Sequence, residues 1–232
     1  MREIVLDTET TGLDPARGDR IVEIGAVELL NHMPTGAVYH QYINPERSMP
    51  QEAFAIHGLG DEFLADKPVF RQIAADFLEF IGQSPLVIHN ASFDMKFLNA
   101  ELKLCDLPQL PMSQALDTLE IARKKFPGAQ NSLDALCRRF SVDNSGRDKH
   151  GALLDSEILA EVYLELIGGR QPDFGLSIDG DPATRGGMNT LEKLPQRPHP
   201  LPPRLTPDEA RRHEEFISEL GDEAVWRKFT SV

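Results

Sequence analysis

Arg2–Leu6, with its apolar Ile4-Val5-Leu6, reads as a buried strand, and it runs straight into Asp7-Thr8-Glu9. Side chains alternate along a strand with a period of two, so Asp7 and Glu9 project from the same face. Two carboxylates placed this way repel each other and lose hydration unless a cation sits between them. Alone, the pair also fits a solvated strand end with ordinary charges. What binds the fold is the company these acids find further along the chain.

Ile21–Leu29 and Val38–Ile43 are predicted as two further strands, with Thr11-Gly12-Leu13-Asp14-Pro15 a turn by composition. Ala74–Ile81 has helical spacing, and Leu86-Val87-Ile88 is a short apolar strand. Helices are predicted over Phe93–Leu104, from Leu116 to Lys125, over Ser132–Phe140 and over Ala152–Ile167. Strands first, then strand and helices alternating, indicate an α/β layer architecture.

Two more acids fall on inward-facing positions. Asp94 closes the run His89-Asn90-Ala91-Ser92-Phe93-Asp94 and shares a helix face with Phe97, Leu98 and Glu101. Asp155 closes His150-Gly151-Ala152-Leu153-Leu154-Asp155 and lines up with Ile158, Leu159 and Val162 on the buried stripe of its helix. Each has an ordinary explanation taken singly, Asp94 as an acid facing a helix dipole and His150 as a capping or surface residue. Four inward acids and one histidine together are much harder to dismiss.

These residue types suit phosphodiester hydrolysis. Two divalent ions ~3.5–4 Å apart stabilise the attacking and leaving oxygens. Hard Mg²⁺ or Mn²⁺ prefers carboxylate oxygen, which accounts for acids rather than Cys or His as ligands. A neutral histidine takes the proton of the attacking water near pH 7. No P-loop, H-E-x-x-H or G-x-S-x-G is present, so nucleotide-driven, zinc-protease and serine-hydrolase chemistries lack their parts.

After Gly168-Gly169 the periodic pattern stops. Residues 171–205 are rich in Pro, Gly, Asp and Arg and read as a flexible linker between a folded domain over 1–170 and a tail over 206–232. The tail restarts at Thr206-Pro207-Asp208-Glu209, with Thr as N-cap, Pro at the first position and Glu at the third. His213, Phe216, Ile217 and Leu220 then share one face, followed by Trp226 and Phe229, a pattern that fits a partner's groove.

A net charge of −13 argues, by itself, against a free-standing nucleic-acid binder. Metal ions in the site, or a partner that holds the DNA, remove that objection. Two cysteines, Cys105 and Cys137, are too few for a disulfide framework. No apolar run approaches the ~20 residues of a membrane span and no signal peptide precedes the first strand, which points to the cytoplasm.

Asp7-Thr8-Glu9-Thr10-Thr11-Gly12, the H-N-A-x-F-D run and the H-x-A-x-x-D run, in this order and at these separations, resemble the three motifs of the DEDDh exonucleases. The resemblance covers roughly residues 1–168 and implies an RNase H-like fold, a central mixed five-stranded sheet flanked by helices. It implies Asp7, Glu9, Asp94 and Asp155 as ligands of two divalent metal ions, and His150 as general base. Glu52-Ala53-Phe54-Ala55-Ile56-His57-Gly58, Asp61-Glu62-Phe63-Leu64 and Asn131–Cys137 carry the likeness to one branch, the epsilon subunits that proofread for bacterial DNA polymerase III. In that branch the residues matching Glu52 and His57 touch the terminal nucleotide, so Asp7, Glu9, Glu52, His57 and Asp155 are expected around the DNA 3′ end.

The same resemblance implies docking of the tail, with Phe216, Trp226 and Phe229, on the polymerase catalytic (alpha) subunit. Gln171, Phe174 and Leu176 look like a weak sliding-clamp-binding peptide, and an ordinary helix exit is the even alternative. A small accessory subunit on the exonuclease domain is left open. Two rival functions use the same motifs: an RNA-trimming exoribonuclease, and a non-catalytic adaptor. The tethered docking helix speaks against the first, and five costly polar groups kept together speak against the second.

Overall fold

The computed structural model describes residues 1–146, 149–169, 206–221 and 225–228. The chain divides into two units, within Met1–Leu176 and Ser177–Val232.

The first unit is built on five strands, β1 (Arg2–Thr10), β2 (Ile21–Leu30), β3 (Met33–Tyr42), β4 (Leu86–Ile88) and β5 (Ala115–Asp117), in the order β3-β2-β1-β4-β5. β1, β2 and β3 form an antiparallel meander, while β4 runs parallel to β1 and β5 parallel to β4. The mixed five-stranded sheet expected from the motifs is the sheet observed. β1 lies in the middle with Ile4, Val5 and Leu6 fully buried, which is why it reads as an unbroken apolar run rather than an alternating one.

Eight α-helices are described: α1 (Gln51–His57), α2 (Asp61–Leu64), α3 (Phe70–Ile81), α4 (Ala91–Leu104), α5 (Thr118–Lys125), α6 (Leu133–Phe140), α7 (Ala152–Leu166) and α8 (Pro207–Glu219). The parity of β1 sorts the core into two layers. Ile4 and Leu6 pack with Phe70 and Phe77 of α3 and with Phe97 and Leu98 of α4. Val5 packs on the other side with Val87 of β4 and with Leu159 and Tyr163 of α7.

Two polar pins fix the helices to the sheet. Glu101 of α4, 2% exposed, takes the Arg20 guanidinium through two bonds of 2.7 and 2.8 Å and also accepts the Ile21 N–H. Glu3, at the start of β1, accepts from the Tyr163 hydroxyl of α7 at 2.7 Å and faces His32 Nδ1 at the same distance.

The structure corrects the helix predicted from Leu116. Ala115–Asp117 pair with Leu86–Ile88 as the edge strand β5, and the helix starts only at Thr118. Asp117 caps it by accepting the Leu119 N–H at 2.8 Å. β1 and β3 are also longer than predicted; β1 continues through its acids, with Asp7 opposite Gly25 and Glu9 opposite Glu23. α1 and α2 occupy a stretch to which the periodicity assigned nothing.

In the second unit α8 begins with the predicted capping box: Thr206 Oγ1 accepts from the Glu209 N–H, and Glu209 accepts the Thr206 N–H at 2.8 Å. Phe216, Leu220 and Trp226 are each more than half exposed, and Trp226 meets His213 edge-on at 5.9 Å between ring centres. The predicted linker, Gln171, Phe174, Leu176 and Phe229 lie outside the described residues. No described helix is long and apolar enough to cross a membrane.

Candidate active site

Three segments of the chain meet at one end of the sheet. Asp7 and Glu9 sit at the C-terminal end of β1, where the pairing register shifts between Glu9 and Thr10. Such irregularities re-aim side chains at strand ends. β4 is parallel to β1, so its chain leaves toward the same end, turns at Asn90 (φ 68°) and enters α4, which places Asp94 in the first turn. Asn90 is one of the residue types that tolerate this left-handed conformation. α7 begins after Gly151 and carries Asp155 in its first turn, with His150 just outside.

Parity decides which layer meets which acid. Asp7 and Glu9 share the α7 side of β1 with Val5, whereas Thr8 shares the α4 side with Ile4 and Leu6. Accordingly Thr8 Oγ1 donates to Asp94 Oδ1 at 2.7 Å. The acids therefore arrive from both faces of the sheet and converge over the end of its central strand. Asp7, Glu9, Asp94, His150 and Asp155 all line one cavity of about 290 Å³, together with His89.

Within that cavity a donor atom each of Glu9, His150 and Asp155 lies within 4.8 Å of the others, the one such group among the described residues. It joins the expected base to two of the expected ligands, with Asp7 and Asp94 on the surrounding wall. Glu9, Asp94 and Asp155 are buried, whereas the His150 side chain is 48% exposed and its Nδ1 stands 3.4 Å from Asp155 Oδ2. The backbone N–H of His150 donates to Ile56 O of α1 at 3.3 Å, so the loop bearing the histidine is tied to that helix.

Burial pushes the Asp94 carboxyl up to about 7, against the opposing pull of the Thr8 hydrogen bond. A buried acid of this kind is only partly ionised near pH 7 unless positive charge is supplied to it. Carboxylate oxygens converging in a cleft, one of them held partly protonated by burial, fit hard divalent cations.

A second cavity of about 280 Å³ adjoins the first and shares Thr8, Glu9 and Phe93 with it. Glu52 and His57 line it, with Leu13 and Ile56 as apolar walls. His57 Nδ1 accepts the Leu59 N–H at 3.1 Å, which leaves the ring proton on Nε2. Burial holds this imidazole below its ordinary range, so it stays neutral at pH 7.

The motifs did not mark two residues on which this geometry depends. One is Thr8, whose polar side chain has the parity of core residues. The other is Gly25, opposite Asp7 in β2: a Cβ there would lie 2.2 Å from Ala152 C and Leu153 N, so the start of α7 rests directly on its backbone. Ser156 Oγ completes the seat by donating to Gly25 O at 2.9 Å. A glycine inside a strand pattern was the available signal.

Residues 4–163 match the family model described as Exonuclease (RNase_T). The chain is 53% identical to the DNA polymerase III subunit epsilon of Rickettsia felis over 226 residues, covering 95% of this chain and 97% of that protein. It is 43% identical to the protein of the same name in Escherichia coli K12, covering 97% of each. Among solved structures, Exonuclease X in complex with 5′ overhanging duplex DNA is 27% identical with a TM-score of 0.56, covering 71% of this chain and 90% of that one. The nuclease domain of 3′hExo, a DEDDh family member bound to rAMP, has a TM-score of 0.62 at 21% identity, covering 72% and 91%, and is alike in fold.

Proposed function

The chain belongs to the exonuclease family that includes the epsilon subunits of DNA polymerase III, and on that premise we propose that it removes mismatched nucleotides from DNA 3′ ends during replication. The observation that carries this reading is the convergence of Asp7, Glu9, Asp94, His150 and Asp155 in one cleft, beside a pocket of nucleoside size. The likeness to epsilon subunits spans 95% of the chain and so extends past the nuclease domain, which favours a polymerase-bound proofreader over a free RNA trimmer.

Asp7, Glu9, Asp94 and Asp155 are the proposed ligands of two divalent ions, Mg²⁺ or Mn²⁺. When bound, such ions supply positive charge to the phosphate oxygens and acidify water. The protein's own part is positioning and proton transfer. Glu52 and His57, with the walls of the second cavity, hold the terminal nucleoside and so bring its 5′ phosphate over the acids. Asp155 orients His150 through Nδ1, and Nε2 takes the proton of the attacking water. A mismatched end is selected because its unpairing costs less: extruding a paired base costs a few kcal/mol.

Residues 1–170 form the proposed catalytic domain, 171–205 a tether and 206–232 the element that docks on the polymerase catalytic subunit. Exposed Phe216 and Trp226 support that docking role. Clamp binding through Gln171, Phe174 and Leu176 is part of the same proposal, as is residence in the bacterial cytoplasm with the replication machinery. A polymerase and clamp that already grip the duplex account for a nuclease with a net charge of −13.

The test is a 5′-labelled primer–template with Mg²⁺, comparing mismatched and paired 3′ ends, alongside Asp7→Ala. Stepwise shortening, faster on the mismatch and lost in Asp7→Ala, is expected. No shortening, or activity confined to RNA, would refute the reading. In parallel, Phe216→Ala/Trp226→Ala is expected to lose binding to the polymerase subunit.

A further inference from the structure

A third cavity adjoins the acidic cleft and not the nucleoside pocket. This groove, of about 560 Å³, shares His89 and Ser132 with the acidic cleft and no residue with the nucleoside pocket. The acidic cleft thus adjoins both the nucleoside pocket and this groove. A polymer whose last nucleoside fills the pocket, and whose scissile phosphate lies over the acids, continues from the cleft into a space that adjoins it.

The groove's lining suits that exit. No carboxylate lines it, in a protein that carries 37 acids against 24 Lys and Arg. Its cation is Arg123, exposed in the last turn of α5. Glu120, one turn earlier, faces Lys124 at 3.9 Å instead. The walls are braced internally: Asn131 Nδ2 donates to Phe126 O and Ala129 O at 3.3 and 3.1 Å, and His89 Nδ1 lies 2.9 Å from Thr118 Oγ1. A rigid wall with one free-standing guanidinium is suited to a single phosphate, which arginine binds through paired N–H groups.

Another cavity beside the cleft also holds cations, Arg138 and Lys149. It shares Asp134 and His150 with the acidic cleft, however, and Ile56 with the nucleoside pocket, so a carboxylate lines it and it adjoins the nucleoside pocket, neither of which is true of the groove beside α5.

From this continuity we infer that the groove beside α5 carries the single strand upstream of the scissile phosphate, and that Arg123 holds one of its backbone phosphates. The inference deepens the exonuclease reading and rests on it. Arg123 is a positioning residue here: it aligns the strand so that the terminal phosphate arrives over the acids, and it takes no part in proton transfer.

The experiment uses the full-length protein with Mg²⁺ and two substrates. One is a single-stranded oligonucleotide. The other is the p-nitrophenyl ester of thymidine 5′-monophosphate, whose leaving group replaces the upstream strand. In Arg123→Gln the ratio of kcat/KM for the strand to kcat/KM for the ester is expected to fall roughly tenfold, through KM, as for loss of one phosphate contact. The slope of log KM against log salt is expected to flatten by about 0.7, the single-strand value for one released counterion. An unchanged ratio, or a ratio that falls in Arg138→Gln and not in Arg123→Gln, overturns the inference while leaving the exonuclease intact. Failure of the wild-type protein to shorten the strand at all sinks the exonuclease reading and this inference with it.

Discussion

Gly25→Ala tests whether the backbone contact between β2 and α7 sets the catalytic geometry. Gly25 is not in the left-handed region, so alanine can adopt its backbone conformation without strain. In open space the substitution would gain about 0.5–1 kcal/mol in a strand. The structure reverses that sign. The new methyl would stand 2.2 Å from Ala152 C and Leu153 N, where ordinary contact begins at 3.4 Å, so α7 has to retreat by 3.4 − 2.2 = 1.2 Å. The obstructing atoms are backbone and cannot rotate away. Overpacking of this kind costs about 1–3 kcal/mol. The greater loss falls on activity, because the displaced segment carries His150 and Asp155, whereas Asp7 and Glu9 stay on β1. A shift near 1 Å at a reacting centre costs about 100-fold. We expect kcat on a mismatched primer end to drop by about that factor in a protein that remains folded by circular dichroism. Ser156→Ala, which removes only the 2.9 Å bond to Gly25 O, is expected to lose about 1 kcal/mol of stability and much less activity. Wild-type kcat in Gly25→Ala would refute the argument that this glycine seats the helix.

His150→Ala is expected to lower kcat by about 10²–10⁴-fold, the usual worth of a general base, with little change in melting temperature because the side chain is half exposed; kcat within a factor of three of wild type would remove the histidine from the mechanism. Asp94 has a folded-state pKa raised from 3.8 to about 7, so in metal-free protein its stabilising proton is retained at low pH and lost as pH rises through about 7. Mn²⁺ compensates the ionised carboxylate, so the melting-temperature increase it produces is expected to be larger at pH 8 than at pH 6, and Asp94→Asn should flatten that difference; equal increases in the parent protein would count against Asp94 as a ligand. Arg20→Ala leaves Glu101 buried with its charge uncompensated, and urea unfolding is expected to show a loss of about 3 kcal/mol, the low end for such pairs because Arg20 is one-fifth exposed. A loss under 1 kcal/mol would mean that the pair does not anchor α4.

What the sequence revealed was local. Acids at the ends of apolar runs, a histidine before a helix and a Pro-rich break are all signals carried by a few adjacent residues. The edge strand β5 escaped because Ala115–Asp117 is too short to display a period of two, and its pairing with β4 involves residues far away in the chain. Helix propensity past Leu116 then pulled the predicted start of α5 forward, although Asp117 is the residue that caps it. α1 was missed for a related reason: Gln51–His57 spans barely two turns, bounded by Pro50 and by Gly58 at φ 76°. Glu101 was visible as an acid on the buried face of its helix, but its partner lies 81 positions earlier and cannot be read from spacing. The role of Gly25 appears only once α7 is docked on it. Likewise, the motifs gave the membership of the site but not its arrangement, in which the acids come from opposite layers and Thr8 joins them.

Because α4 delivers Asp94 over one face of the sheet and α7 delivers Asp155 over the other, the cleft has no partial form. A ribosome makes Asp7 almost at once and Asp155 only near the end of the domain, and domains fold as units as they emerge. A nascent chain halted after α6 holds β1, β4 and α4 but lacks the helix that closes the cleft. The same is true of any proteolytic piece cut between α4 and α7. A chain stopped short of α7 therefore carries Asp7, Glu9 and Asp94 without His150 or Asp155, and the complete cleft is among the last features the domain acquires during synthesis.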